Sequence, residues 1–149
     1  MSGLSRRQVL AGSAGALTIG MFGIAPAHAA NNAEDLIKAF TGGKSTTEGK
    51  VKLDLPEIAE NGNTVPMTVS VDSPMSDASY VSDVLVVGDG NPNGGMVTFH
   101  FTPASGVAEA NTRIRLAQTQ NIIAVAKMND GTFFTASKQV KVTIGGCGG

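Results

Sequence analysis

From Lys50 the chain alternates by twos: Val51, Leu53 and Leu55 against Lys50, Lys52 and Asp54, until Pro56 ends the run. A period of two places one class of residue on each face of an extended strand. Residues 60–63, Glu-Asn-Gly-Asn, read as a turn. Residues 65–71 then alternate again, with Val65, Met67, Val69 and Val71 on one side, and Pro66 favours an edge or a strand start. Further apolar runs cover residues 80–87, 96–102, 112–117 and 121–128. Asp130-Gly131 marks a tight hairpin. The last strand spans 133–144, with a break expected near Ser137, and carries Val140, Val142 and Ile144 on one face.

One earlier stretch has the helical period instead. In Asn32-Ala33-Glu34-Asp35-Leu36-Ile37-Lys38-Ala39-Phe40, Asn32 can cap and two acids fill the first turn. Leu36, Ile37 and Phe40 share a face that must pack on the domain or a partner, and Thr41-Gly42-Gly43 ends the element. About seven short strands at regular spacing, with no alternation of strands and helices, predict an all-β fold: an antiparallel, immunoglobulin-like β-sandwich with a short N-terminal helix. The absence of tryptophan and of paired cysteines keeps that likeness architectural. No internal repeat is present.

Composition divides the chain. Ser5-Arg6-Arg7-Gln8-Val9-Leu10 precedes a Gly- and Ala-rich apolar stretch over 11–25, and Ala27-His28-Ala29 fits small-x-small cleavage before Ala30. Paired arginines ahead of a modest apolar core indicate a twin-arginine signal over 1–29, although Val9 stands where such signals often carry Phe, as an ordinary secretory signal would allow. The run is shorter than the roughly 20 residues a membrane span needs. The expected mature protein is therefore periplasmic and soluble, with one domain over 30–144 and an arm over 145–149. Without Arg6 and Arg7 it holds 9 basic against 12 acidic residues, a net charge of about −3 with no basic cluster, which excludes a nucleic-acid binder.

Export sharpens the meaning of the single cysteine. Exported proteins use cysteines in pairs, and an odd one indicates intermolecular pairing or a reactive thiol. Cys147 stands in Gly145-Gly146-Cys147-Gly148-Gly149. Glycines supply no side chains and leave the thiol sterically open. Extended at about 3.3 Å per residue, 145–147 would project the sulfur roughly 10 Å past the last strand. The arm offers no base, cation or helix end to lower the thiol's pKa from about 8.5, so it has no catalytic power of its own. Cys147 is the expected covalent attachment point, Gly145, Gly146, Gly148 and Gly149 its flexible arm, and activation must come from another protein's active site. No catalytic residue, metal or cofactor is called for.

Other constellations carry less. His100, the one histidine after the signal, sits on the solvent-facing side of a strand whose other side bears Val97, Phe99 and Phe101. Arg113 and Arg115 alternate with Ile114 and Leu116 and project from one face, as a solvated pair or a steering element for an anion. Asp89-Gly90-Asn91-Pro92-Asn93-Gly94 opens like a calcium loop, but the twelfth position is His100 rather than a bidentate Glu, and a strand follows. It reads as a turn-rich loop.

The glycine-flanked Cys147, with residues 59–66 (Ala-Glu-Asn-Gly-Asn-Thr-Val-Pro), 72–75 (Asp-Ser-Pro-Met), 112–117 (Thr-Arg-Ile-Arg-Leu-Ala) and the twin-arginine start, resembles the SoxY family, the sulfur-carrier subunits of bacterial sulfur oxidation. The likeness spans essentially the whole chain, and its most specific part is the tail. It implies a sandwich paired with a second sandwich subunit, SoxZ, and a cysteine loaded with thiosulfate-derived sulfur. It further implies docking with a c-type cytochrome enzyme, SoxAX, that forms a cysteine S-thiosulfonate, with a hydrolase, SoxB, that releases sulfate, and with a sulfane dehydrogenase, SoxCD. Three other readings compete: a structural sandwich using Cys147 for intermolecular disulfides, a thiol catalyst such as a sulfurtransferase, and a carrier that forms a thiocarboxylate on Gly149.

Overall fold

The computed structural model describes residues 31–146. The expected signal over 1–29, and Cys147, Gly148 and Gly149, lie outside the described residues. One helix, α1 (Ala33–Thr41), precedes nine strands: β1 (Thr47–Glu48), β2 (Val51–Asp54), β3 (Ile58–Asn61), β4 (Val65–Val71), β5 (Val81–Gly88), β6 (Gly95–His100), β7 (Ala108–Ile114), β8 (Gln120–Met128) and β9 (Phe133–Ile144). They form two packed sheets, an immunoglobulin-like sandwich. The larger runs β1-β9-β8-β5-β6, with β3 also on β9, and the smaller runs β2-β4-β7.

The core follows the period-two pattern. Val65, Met67, Val69 and Val71 point inward from β4, and Val81, Val84 and Val86 from β5; they meet Ile122, Ala124 and Ala126 of β8, Val140 of β9 and Leu116 in one cluster. Burying a side chain of this size contributes about 1.5–3 kcal/mol. The outer face of the larger sheet is covered in part by α1, whose Leu36, Ile37 and Phe40 pack on Leu85, Val87 and Ile123. Phe40 also meets the Phe133 ring edge-on at 5.9 Å. The helix ends at Gly42, in the left-handed region at φ 63°.

Several local expectations needed correction. Asn32 occupies the N-cap position without a side-chain cap bond: its Oδ1 accepts from Gly94 N–H at 2.8 Å, and Asn31 Oδ1 accepts from Ala33 N–H at 2.9 Å instead. The sheet is not wholly antiparallel, because β1 and β3 both join β9 in parallel. The chain alternates between sheets here, β1 and β3 on the larger, β2 and β4 on the smaller. Short segments with one ladder neighbour carry almost no periodic signal, so β3 is not among the predicted strands, and its Glu60 and Asn61 fall in the turn expected over 60–63. β9 has no break at Ser137, which pairs with Ile123 in an uninterrupted ladder; cross-strand pairing overrides one residue's weak strand preference. The 112–117 run is displaced, β7 occupying 108–114, because Ala108 and Ala110 mark its inward face only faintly. Pro66 fits its expected place at a strand start: β2 reaches no further than Asp54 opposite Thr68, so β4 has no β2 partner there.

Candidate functional site

The last described residues are the root of the cysteine segment, and three stretches of backbone close around them. Gly62 N–H donates to Ile144 O, Leu116 N–H donates to Gly62 O, and Gly146 N–H donates to Leu116 O, each at 2.8 Å. The β3–β4 turn, the segment after β7 and the end of β9 are thus tied in sequence by main-chain bonds alone. Such an approach excludes side chains. A β-carbon on Gly62 would lie 2.2 Å from Leu116 O, one on Gly145 2.1 Å from Ala117 O, and one on Gly146 2.9 Å from Gly62 C and O. Gly146 is buried. The two glycines before Cys147 are therefore part of the packing, and the projection expected for an extended 145–147 segment requires this clasp to open.

The other side of residues 115–117 is held by Asn91, which is 3 % exposed. Its Nδ2 donates to Arg115 O at 2.8 Å, and its Oδ1 accepts from Ala117 N–H at 2.9 Å and from Gln120 Nε2 at 2.7 Å. One amide side chain thus stands in for a neighbouring strand, offering a donor and an acceptor two residues apart. Gln120 Oε1 accepts from Gly90 N–H at 3.1 Å, and the Asp89 carboxylate accepts from Asn121 N–H at 2.8 Å and Nδ2 at 2.7 Å. The loop over 89–94 spends its oxygens inside the fold, in keeping with a turn-rich loop rather than a calcium site. Among the described residues no cluster of three or more His, Cys, Asp or Glu could hold a metal ion.

Arg113 and Arg115 are exposed, and among the described residues neither guanidinium has an ion-pair or hydrogen-bond partner. Both line a groove of about 350 Å³ with Met96, Val97 and Ile114. His100 faces solvent as expected, its Nδ1 2.5 Å from Asp83 Oδ1 on the neighbouring strand. That pair lies on the β5–β6 ladder, outside the clasp.

Gly62 and Asn91 went unrecognised as site-forming residues. Gly62 read as an ordinary turn glycine and Asn91 as a loop residue, since neither close backbone approach nor burial of a loop amide has a local sequence signature. An indirect signal existed: residues 59–66 and 112–117, two of the stretches that carry the family resemblance, are the ones that meet at the root of Cys147.

A β-sandwich whose backbone closes around the two glycines that precede a lone cysteine defines a class of small single-cysteine domains. The model of the family described as sulfur oxidation protein SoxY matches residues 37–147, a span that ends on Cys147, and the chain belongs to that family. Among solved structures it is similar to the sulfur carrier protein SoxY from Chlorobium limicola f thiosulfatophilum, at 30% identity and TM-score 0.63 over 74% of this chain and 96% of that one. It is also similar to a superoxide reductase (neelaredoxin) from Ignicoccus hospitalis, at 19% identity and TM-score 0.57 over 63% of this chain and 80% of that one. The superoxide reductase from Nanoarchaeum equitans matches at 12% identity and TM-score 0.55, over 65% of this chain and 100% of that one. The two reductase likenesses show the fold alone. No curated protein matches the chain at a significant level.

Proposed function

We propose that this protein is a periplasmic sulfur carrier that holds thiosulfate-derived groups covalently on Cys147 and presents them to successive partner enzymes, without catalysis of its own. The observation that carries the reading is the backbone clasp immediately before Cys147, in a chain of the SoxY family. A carrier needs its reactive atom offered from a fixed root, free of neighbouring side chains, so that different active sites can admit the same group.

The chemistry follows from a thiol and thiosulfate. Cys147–SH and S₂O₃²⁻ give Cys147–S–SSO₃⁻ with loss of one proton and two electrons, the electrons passing to a c-type cytochrome partner of the SoxAX kind. Water then cleaves the terminal sulfur–sulfur bond in a hydrolase of the SoxB kind, releasing sulfate and leaving Cys147–S–S⁻. A SoxCD-like enzyme oxidises the sulfane sulfur that remains. A SoxZ-like sandwich subunit completes a heterodimer, and the twin-arginine signal exports the carrier already folded, with cleavage near Ala29.

Intact mass of the protein from cells oxidising thiosulfate, taken before and after reduction, tests this. A reducible adduct of sulfur and oxygen on Cys147 is expected; only free thiol or a cysteine-linked dimer would favour a structural subunit instead. Cys147→Ser, with all four glycines kept, should abolish the load. A load that persists would place the sulfur on a Gly149 thiocarboxylate.

A further inference from the structure

The smaller sheet ends in a strand with one neighbour. β7 pairs only with β4, so one side of its run Ala-Glu-Ala-Asn-Thr-Arg-Ile is an open edge. Open edges attract further strands, and proteins blunt them with lysine, proline, bulges or short length. The other peripheral strands show such devices. β1, β2 and β3 have four residues or fewer, and the ladder joining β6 to β5 shifts register between Val86 and Val87. β7 has no lysine or proline, and its ladder on β4 runs without a shift from Ala108 to Ile114.

The direction of its main-chain groups follows from the far side of β4. Asp72 N–H donates to Lys50 O at 2.7 Å, in the same register as Lys52 opposite Ser70 and Asp54 opposite Thr68. Bonded and unbonded pairs alternate in an antiparallel ladder, so Thr68 and Ser70 turn their main-chain groups to β2, and Met67 and Val69 turn theirs to β7. The latter two meet Thr112 and Ala110. The N–H and C=O of Glu109, Asn111 and Arg113 are therefore directed at the open edge. Pro66 agrees with this, standing opposite Arg113 where no N–H is called for. The same three residues are exposed and carry their side chains on the outer face of the sheet.

Glu109 and Arg113 lie about 13 Å apart along the strand, too far to pair with each other. Ser70 and Pro66 face them on β4 and are uncharged, and among the described residues neither Glu109 nor Arg113 has an ion-pair partner. Their spacing is symmetric about Asn111. A second β7 laid antiparallel against the first, with Asn111 opposite Asn111, brings each Glu109 opposite the other copy's Arg113. All of these are bonded pairs, each exchanging two main-chain hydrogen bonds, so the outward groups are satisfied together. Two like charges at these positions would repel a second copy; one of each sign attracts it.

We propose that the β7 edge is a self-pairing surface whose occupant is a second copy of this chain, in a two-fold antiparallel arrangement that joins the two smaller sheets into one. The inference is independent of what Cys147 carries. A contact through one strand from each copy is small, so the dimer is a reversible one.

The test uses the chain with Cys147→Ser, which cannot form disulfides, purified without a partner subunit. Sedimentation equilibrium should show a concentration-dependent dimer that weakens as salt is raised. Amide exchange should slow with protein concentration at Glu109, Asn111 and Arg113, and stay unchanged at Ala110 and Thr112, which already bond to β4. Glu109→Arg sets like charges opposite each other in both pairs and should weaken the dimer about tenfold, as should Arg113→Glu. Combining the two exchanges the signs and should restore it. Mixing the two single variants should give a heterodimer tighter than either homodimer. A monomer at every concentration, exchange at Asn111 indifferent to concentration, or no rescue by the double reversal would overturn the proposal. So would protection at Asn111 that appears only when a second, SoxZ-like sandwich is added, which gives the edge to that subunit. None of these outcomes bears on the Cys147 adduct that tests the carrier reading.

Discussion

The chain contains two Gly-Gly pairs placed after regular elements, and they do opposite work. Gly42 and Gly43 follow α1 with φ of 63° and 79°, and a β-carbon on either would meet nothing within 4 Å. They are glycine for conformation, because the left-handed region is costly for any residue with a β-carbon. Gly145 and Gly146 follow β9 outside that region, with backbone atoms of Ala117 and Gly62 where a β-carbon would stand. They are glycine for space. Identical dipeptides thus stop a helix in one place and let three backbones touch in the other, and only the second holds the residue before the cysteine.

Substitution separates the two. Gly145→Ala or Gly62→Ala should have the largest effect, about 3 kcal/mol in urea unfolding, because neither backbone partner can yield without breaking the clasp. If either costs as little as an open surface site, the clasp is not close-packed. Asn91→Ala comes next, at about 2 kcal/mol, by stranding Arg115 O and Ala117 N–H within the fold. Its amide hydrogen exchange should quicken at Leu116 and Gly146 and not at Gly43. Gly42→Ala should cost about 1 kcal/mol, with loss confined to the end of α1. An effect on exchange at Gly146 would contradict the independence of the two pairs.

The smallest effect is expected at the far hairpin. The Thr132 hydroxyl, and then its backbone N–H, hold the Asp130 carboxyl below its ordinary value of 3.8. A folded-state pKa below the unfolded one adds stability that is present above the unfolded value and lost as pH falls through the folded one. Thermal melts of Asp130→Asn should therefore lose a slight part of the stability difference between pH 5 and pH 2. Exchange at the clasp should stay as it was.

Much of this was legible beforehand because it is periodic. Alternation over 65–71 and 121–128 names the inward residues of two central strands, and the spacing of Leu36, Ile37 and Phe40 names the buried face of α1. β3 and the true limits of β7 were not legible, since a four-residue strand in one parallel pairing and a strand lined by alanines leave too little contrast. At the site, the sequence singled out Cys147 and its glycines but treated all four alike.

The sequence by itself determined the sandwich class, the single glycine-flanked cysteine, the pair of arginines on one strand face and the membership of a family, because each rests on residue identity, local period or a contiguous motif. Only the tertiary structure decided that Gly62, Leu116 and Gly146 form one clasp, that Asn91 braces it, and that Arg115 borders a groove beside the root of Cys147. Those relations join positions up to 84 residues apart, from Gly62 to Gly146, through main-chain contacts that bear no side-chain signature. Glycine in a sequence states only that a side chain is absent. Whether it is absent for an angle or for a neighbour is settled when distant backbone arrives.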